Sequence, residues 1–211
     1  VHVYHLNIGD PDIKTPDVML EVLRTWDRNP IGYDQSQGNP GFLEAMLRYY
    51  HRLGFTFLET PHIQVTTGGS EAISMALFAA CNPGDEVLTF EPLYTNYNSY
   101  AVVNGVTLKG ILTTSDTGFH LPDKKTIEAA ITDRTKAILI CNPNNPTGTA
   151  YTEDEIRMLV DIAKAHGLFL LSDEVYREYT YDGRVHVSLL RFMQEIPDSA
   201  IVLDSMSKRY S

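Results

Sequence analysis

The feature that most constrains the fold is a regular alternation of short apolar runs with longer helical patterns between about residues 62 and 204. The apolar runs have the length of buried strands, and the segments between them have apolar residues at helical spacing. The predicted strands are 63–66, 86–90, 107–111, 137–141, 168–172 and 200–204, and the helices between them are 70–80, 94–103, 124–131 and 152–165. Strand and helix in repetition predict an α/β fold: a mostly parallel sheet between two layers of helices.

Two further helices are predicted before this alternation. The pair Thr15-Pro16 is typical of a helix start, so we expect a helix over 15–26, and Asn39-Pro40 opens a second helix that ends before Gly54. We expect residues 1–12 to form an N-terminal arm, and residues 13–211 to form one large domain.

Charge and composition exclude several classes of function. The 17 basic and 27 acidic residues give a net charge of −10, which disfavours binding to nucleic acid or to an anionic membrane. No apolar run approaches the roughly 18 residues of a membrane helix, and the start of the chain lacks a signal pattern, so we expect a cytoplasmic protein. Cys81 and Cys141 fit a reducing compartment. His2 and His5 have no companion ligand at suitable spacing, and we expect no metal site.

Ligands of open α/β sheets bind beyond the carboxyl ends of the strands, so the residues that follow each predicted strand are the candidates for chemistry. Gly68, Gly69 and Ser70 lie where a strand becomes a helix, and their amides can bind a phosphate at the positive end of the helix dipole. A tight turn capped by Ser70 is the plainer alternative.

Three other strand ends carry polar side chains. Asp173 follows a buried strand, where a carboxylate needs a cationic partner unless it is only a cap; Tyr176 lies three residues later. Asn145 lies in a proline-rich loop, 142–148, which is either a rigid holder of one side-chain geometry or a plain turn. Lys208 has an amine that can form a Schiff base with an aldehyde, or it is an ordinary solvated lysine.

Four of these motifs, in this order, resemble the class I and II aminotransferases of pyridoxal 5′-phosphate (PLP) fold type I. The motifs are Gly-Ser-Glu-Ala at 69–72, Asn-Pro-Asn-Asn-Pro-Thr-Gly at 142–148, Asp-Glu-Val-Tyr at 173–176 and Ser-Met-Ser-Lys at 205–208. The resemblance implies the PLP-binding large domain of that fold. It also implies transfer of an amino group between an L-α-amino acid and a 2-oxo acid by a homodimer.

The resemblance also implies a role for each residue. Lys208 would hold the cofactor as a Schiff base and carry a proton, and Asp173 would pair with the protonated pyridine nitrogen. Tyr176 and Asn145 would contact the ring oxygen, and Tyr94 would stack on the ring. The remaining implied contacts are those of Gly69, Ser70 and Ser205 with the phosphate, of Tyr33 with the phosphate of a neighbouring subunit, and of Gly9, Tyr94 and Asn145 with the substrate.

The chain also departs from that family. Its members are nearly twice as long and have two arginines, for the phosphate and for the substrate carboxylate, at positions that would lie beyond Ser211. We therefore expect the front part of an enzyme: a large domain, 13–211, that is incomplete at its C-terminal end, without the small C-terminal domain. Another PLP reaction, such as β-elimination, decarboxylation or cyclopropane formation, and a non-catalytic ligand-binding module remain alternatives.

Overall fold

The computed structural model describes residues 3, 9 and 11–210, and its centre is a five-stranded sheet. All neighbouring strands are parallel, in the order β2-β1-β3-β4-β5. The strands are β1 (Glu86–Glu91), β2 (Thr107–Leu112), β3 (Thr135–Cys141), β4 (Phe169–Asp173) and β5 (Ala200–Leu203). The predicted parallel α/β sheet is confirmed.

The helices begin and end close to their sequence signals. Asn39 caps the second helix and Thr152 caps the sixth with a reciprocal contact to Glu155, whereas Gly167 ends the sixth in a left-handed conformation. The helices are α1 (Asp17–Arg24), α2 (Pro40–Arg52), α3 (Gly69–Ala80), α4 (Asn96–Val103), α5 (Lys124–Ala129), α6 (Glu153–His166) and α7 (Ser207–Tyr210).

The core is divided in two by the sheet. Ile138 and Ile140 of β3 pack with α5 and α6 on one face, whereas Ala137 and Leu139 pack with α3 and α4 on the other. Alternate residues of a strand point to opposite faces, so both faces of β3 are apolar because both are covered. This arrangement is the predicted three-layer architecture.

One predicted strand is wrong. In the described part of the chain, residues 63–66 belong to no sheet: the backbone is extended at Ile63, but its backbone-to-backbone bond to the 36–37 segment runs only from the Val65 amide to the Gln37 carbonyl, at 2.9 Å. The side chains of Gln37 and Gln64 add bonds to the Ile63 and Ser36 carbonyls. The apolar pattern was sufficient for extended backbone but not for a ladder, because a ladder needs a neighbouring strand. A groove separates 63–66 from β5 and is lined by both.

The segment before α2 packs little against the rest. α1 buries none of its residues, and its Val18 and Leu23 are 72% and 73% exposed. The division into an arm, 1–12, and a domain, 13–211, stays a prediction, and most of that arm, with His2 and His5, lies outside the described residues. No helix in the described part of the chain is long and apolar enough to span a membrane.

Candidate active site

The carboxyl ends of β3, β4 and β5 lie level with one another. Cys141 pairs in register with Asp173, and Asp173 pairs with Leu203, so the segments that follow these three strands start at the same edge of the sheet. These segments carry Asn145, Tyr176 and Lys208. The topology therefore gathers residues that are far apart in sequence.

Asp173 is a buried carboxylate at the end of β4. Its oxygens accept hydrogen bonds from the Tyr97 hydroxyl, at 2.6 Å, and from the Val175 amide, at 3.2 Å, both of which are neutral donors. Among the described residues, no lysine, arginine or histidine forms an ion pair with it. Burial raises the pKa of Asp173 to about 6, although both hydrogen bonds act to lower it. The buried carboxylate would therefore be stabilised in its charged form by a bound cation.

Tyr97 is the main residue that the sequence reasoning missed. It is 1% exposed, and its ring packs edge to face against Tyr94 with centroids 5.4 Å apart. Tyr97 therefore connects the predicted stacking residue to the predicted nitrogen-binding carboxylate. The spacing of Tyr94 and Tyr97, one turn apart at the start of α4, was the available signal.

Tyr176, Asn145, Gly9 and Lys208 form one connected group. The Asn145 side-chain amide donates to the Tyr176 hydroxyl at 3.2 Å, and the Lys208 amine donates to the Gly9 carbonyl at 2.5 Å. A Cβ added to Gly9 would lie 3.8 Å from the Tyr176 hydroxyl oxygen. The structure thus brings together the residues predicted to contact the ring oxygen, the substrate and the aldehyde.

The side chain of Asn142 anchors the start of the loop 142–148 with one donated and one accepted hydrogen bond. This residue is fully buried; its side chain donates to the Val187 carbonyl at 2.9 Å and accepts from the Tyr151 amide at 2.9 Å. Asn145 is therefore carried by an anchored loop. The plain-turn alternative does not explain the contact of Asn145 with Tyr176.

The predicted phosphate site lies at the start of α3. Gly68 has a φ of +118°, a conformation that favours glycine, and a Cβ added to Gly69 would lie 3.7 Å from the Cβ of Ser205. The Ser70 hydroxyl lies 2.6 Å from the hydroxyl of Tyr100, a second residue that the sequence reasoning missed. Ser205 and the amino end of α3 thus face one another, as a shared anion would require.

Tyr33 is not part of this group. Its side chain is fully exposed in the loop between α1 and α2. The role implied for it, toward a neighbouring subunit, stays a prediction.

The residues present fit PLP. The buried carboxylate, which forms no ion pair with any residue that the structure describes, suits a protonated pyridine nitrogen, and the Lys208 amine can bind an aldehyde. Ser205 and the start of α3 can bind a phosphate, whereas no cluster of metal ligands occurs among the described residues. Fold and site together define a class: α/β proteins with a lysine and a buried aspartate at the carboxyl edge of a parallel sheet.

Comparison with known proteins places the chain within that class. A family model described as "Aminotransferase class I and II" matches residues 1–211, and the chain belongs to this PLP-dependent family. The putative aminotransferase YugH of Bacillus subtilis is 32% identical, and the alignment covers 99% of this chain and 54% of YugH. The glutamate-pyruvate aminotransferase AlaA of Haemophilus influenzae is also 32% identical, with 99% of this chain and 52% of AlaA covered.

Solved structures of aminotransferases superpose closely on this fold. A single mutant of Thermus thermophilus aspartate aminotransferase superposes with a TM-score of 0.88 at 30% identity, covering 97% of this chain and 53% of that one. An Escherichia coli aminotransferase superposes with a TM-score of 0.86 at 32% identity, covering 97% and 51%. The fold is therefore that of the fold type I large domain, and the chain spans about half the length of the curated relatives it matches.

Proposed function

We propose that the protein to which this chain belongs is a PLP-dependent aminotransferase acting between an L-α-amino acid and a 2-oxo acid. The observation that carries the proposal is that two groups meet at one sheet edge: a buried carboxylate with no cationic partner among the described residues, and a lysine amine. Relatives named as alanine, aspartate and N-acetyl-LL-diaminopimelate aminotransferases support the reaction class without fixing the substrate.

Asp173 keeps a proton on the pyridine nitrogen. Its carboxylate is held in place by Tyr97 and the Val175 amide, and the ring cation compensates the charge that burial disfavours. The bound cofactor supplies an electron sink for the negative charge that develops at the substrate Cα. The task of Asp173 is to maintain that sink by staying ionised beside the ring.

Lys208 would supply the amine that binds the cofactor aldehyde, and the freed Nζ atom would accept the proton released from the substrate Cα. Tyr176 and Asn145 orient the ring through its oxygen, and Tyr94 stacks on the ring face. Gly69, Ser70 and Ser205 bind the phosphate. Gly9, Tyr94 and Asn145 face the substrate.

A homodimer and a cytoplasmic location belong to the same proposal. Tyr33, exposed on the loop before α2, would contact the phosphate in a neighbouring subunit. Cys81 and Cys141 are buried and unpaired, as thiols of a reducing compartment commonly are.

The test is to replace Lys208 in the full-length protein. Lys208→Ala should abolish the borohydride-trapped adduct with PLP and nearly all turnover, because Lys208 is the lysine that follows the carboxyl end of β5 at this edge. Lys136→Ala and Lys164→Ala, which remove lysines of β3 and α6, are the controls and should keep both. An adduct mapped to Lys136 or Lys164 in the unmodified protein would overturn the assignment.

The other fold type I reactions remain the second candidate, because β-elimination, decarboxylation and cyclopropane formation use the same lysine and carboxylate. Product analysis with a panel of amino acids and 2-oxo acids separates them: transamination gives a new amino acid and a new oxo acid in equal amounts. A protein that binds PLP without turning over any of the panel would support the non-catalytic alternative.

A further inference from the structure

Arg209, the residue after the proposed cofactor lysine, forms a closed turn with Asp204. One guanidinium nitrogen of Arg209 lies 3.0 and 3.1 Å from the two carboxylate oxygens of Asp204, and each side chain is only 9% exposed. Asp204 also accepts from the Ser205 amide at 2.8 Å. The start and the end of the turn 204–209 are thus joined through one buried carboxylate.

The closed turn is attached to two other elements. The Arg209 guanidinium stacks on the ring of Tyr49 in α2, 4.7 Å from its centroid, and its Nε lies 3.4 Å from the carboxylate of Glu178. Tyr50, also in α2, donates to Asp204 at 2.9 Å. The turn is therefore fixed to α2 and to the segment after β4, beyond the one strand from which it starts.

The turn carries Ser205 and Lys208, which need such support. The turn 204–209 is also held by backbone hydrogen bonds from the Arg209 and Tyr210 amides to the Met206 carbonyl and by contacts of Ser205 with Ser207. The Tyr179 hydroxyl donates to the Lys208 carbonyl. The direction of the lysine side chain therefore depends on what holds the turn.

We propose that Arg209 is a positioning residue, which by bridging Asp204 and stacking on Tyr49 sets the direction in which Lys208 presents its amine. The proposal rests on the proposed function, because it takes Lys208 as the cofactor lysine. Arg209 contacts Tyr49 of α2 whereas the Lys208 amine contacts Gly9, so Arg209 acts on Lys208 through the backbone between residues 204 and 209.

The test measures how fast the full-length, cofactor-free protein forms a borohydride-trapped adduct with pyridoxal at Lys208. Pyridoxal lacks the phosphate, so a change at Ser205 does not enter the rate. Arg209→Met should slow the adduct at least tenfold. Arg209→Lys keeps the charge but cannot make the same planar, stacked contact, so it should recover much of the Tm while the rate stays low.

Arg157 offers a matched control. It too contacts both oxygens of one carboxylate, that of Glu195, and it stacks on Phe192 with 4.2 Å to the ring centroid, but it lies on α6. Arg157→Met should leave the adduct rate unchanged, whatever it does to the Tm. Arg157→Met thereby shows what losing a stacked ion pair elsewhere in the protein does, so any further effect of Arg209→Met is due to the Arg209 pair itself.

Two results would overturn the inference: an unchanged rate in Arg209→Met, or a rate in Arg209→Lys that recovers in proportion to the Tm, which would indicate a merely structural role. No adduct at Lys208 in the unmodified protein would overturn the proposed function instead. The turn is then judged by the acetic anhydride labelling rate of the Lys208 amine, followed by mass spectrometry. Compared with the unmodified protein, the labelling rate should change at least threefold in Arg209→Met and stay the same in Arg157→Met. A labelling rate in Arg209→Met equal to that of the unmodified protein would overturn the inference.

Discussion

At the scale of a residue, Asp173 sets function against stability. The carboxylate lies among groups that disfavour its charge: Asp204 and Glu174 raise its pKa beyond the effect of burial, while Tyr97 and Val175 only partly offset them. A folded protein gains nothing from such a charge unless a cation arrives. We expect the cofactor-free protein to be less stable, at neutral pH, than it would be without this carboxylate.

Asp173→Asn should therefore stabilise the cofactor-free full-length protein. The folded-state pKa, about 6, lies above the ordinary value, so the contribution of the carboxyl to stability is present at low pH and is lost as pH rises through about 6. A shift of about two units corresponds to about 3 kcal/mol. We expect the variant to gain about 3 kcal/mol in free energy of unfolding at pH 8 and roughly half of that at pH 5, measured with urea.

The same substitution should lower turnover of the cofactor-loaded enzyme by several orders of magnitude, because Asn cannot keep the ring nitrogen protonated. The stability comparison is made between two proteins at each pH, so other titrating groups cancel. A variant that is no more stable at pH 8, or one with near-normal turnover, would show that Asp173 is a cap.

At the scale of an element, α6 depends on its first turn. Thr152 accepts from the Glu155 amide at 3.3 Å, and Glu155 accepts from the Thr152 amide at 2.7 Å. Glu155 also accepts from the Leu121 amide at 2.7 Å and contacts His120 at 3.0 Å, so it holds the segment before α5 against α6. These hydrogen bonds lower the pKa of Glu155 despite partial burial.

Thr152→Ala should cost about 1 kcal/mol in free energy of unfolding, the usual effect of losing an N-cap. Glu155→Ala should cost more, because it also removes the contacts with 120–121, and its excess cost should shrink as pH falls through the lowered pKa of Glu155. Urea unfolding at pH 7 and pH 4 checks both. Asp154→Ala, in the same turn, is the control, and an equal cost for all three would contradict the prediction.

The elements also show what a sequence can reveal. The capped helices α2 and α6 and the apolar strands β3 and β4 were predictable because their signals are local. That residues 63–66 form no ladder was not predictable, because pairing depends on whether another strand lies alongside. Tyr97 was missed for a similar reason: its partner Asp173 is 76 residues away in sequence, and only the folded chain brings α4 to the end of β4.

At the scale of the whole molecule, the groove beside β5 is the place where the described sheet has an unpaired edge. In the described part of the chain, β5 pairs on one side only, with β4, and its other side faces the groove toward 63–66. The strand is short but apolar, with Ile201 and Val202 partly exposed. An unpaired apolar edge of this kind invites pairing with another chain.

This edge has a consequence for handling the protein. A polypeptide limited to residues 1–211 should form larger oligomers in a concentration-dependent way and bind PLP weakly, whereas the full-length protein should bind PLP tightly and stay the proposed homodimer. Val202→Lys, which adds a charge in the groove, should reduce association of the piece, and Val103→Lys, on exposed α4, is the control. Sedimentation velocity over a dilution series decides the matter, and a monodisperse 1–211 polypeptide would mean that the edge of β5 is harmless in solution.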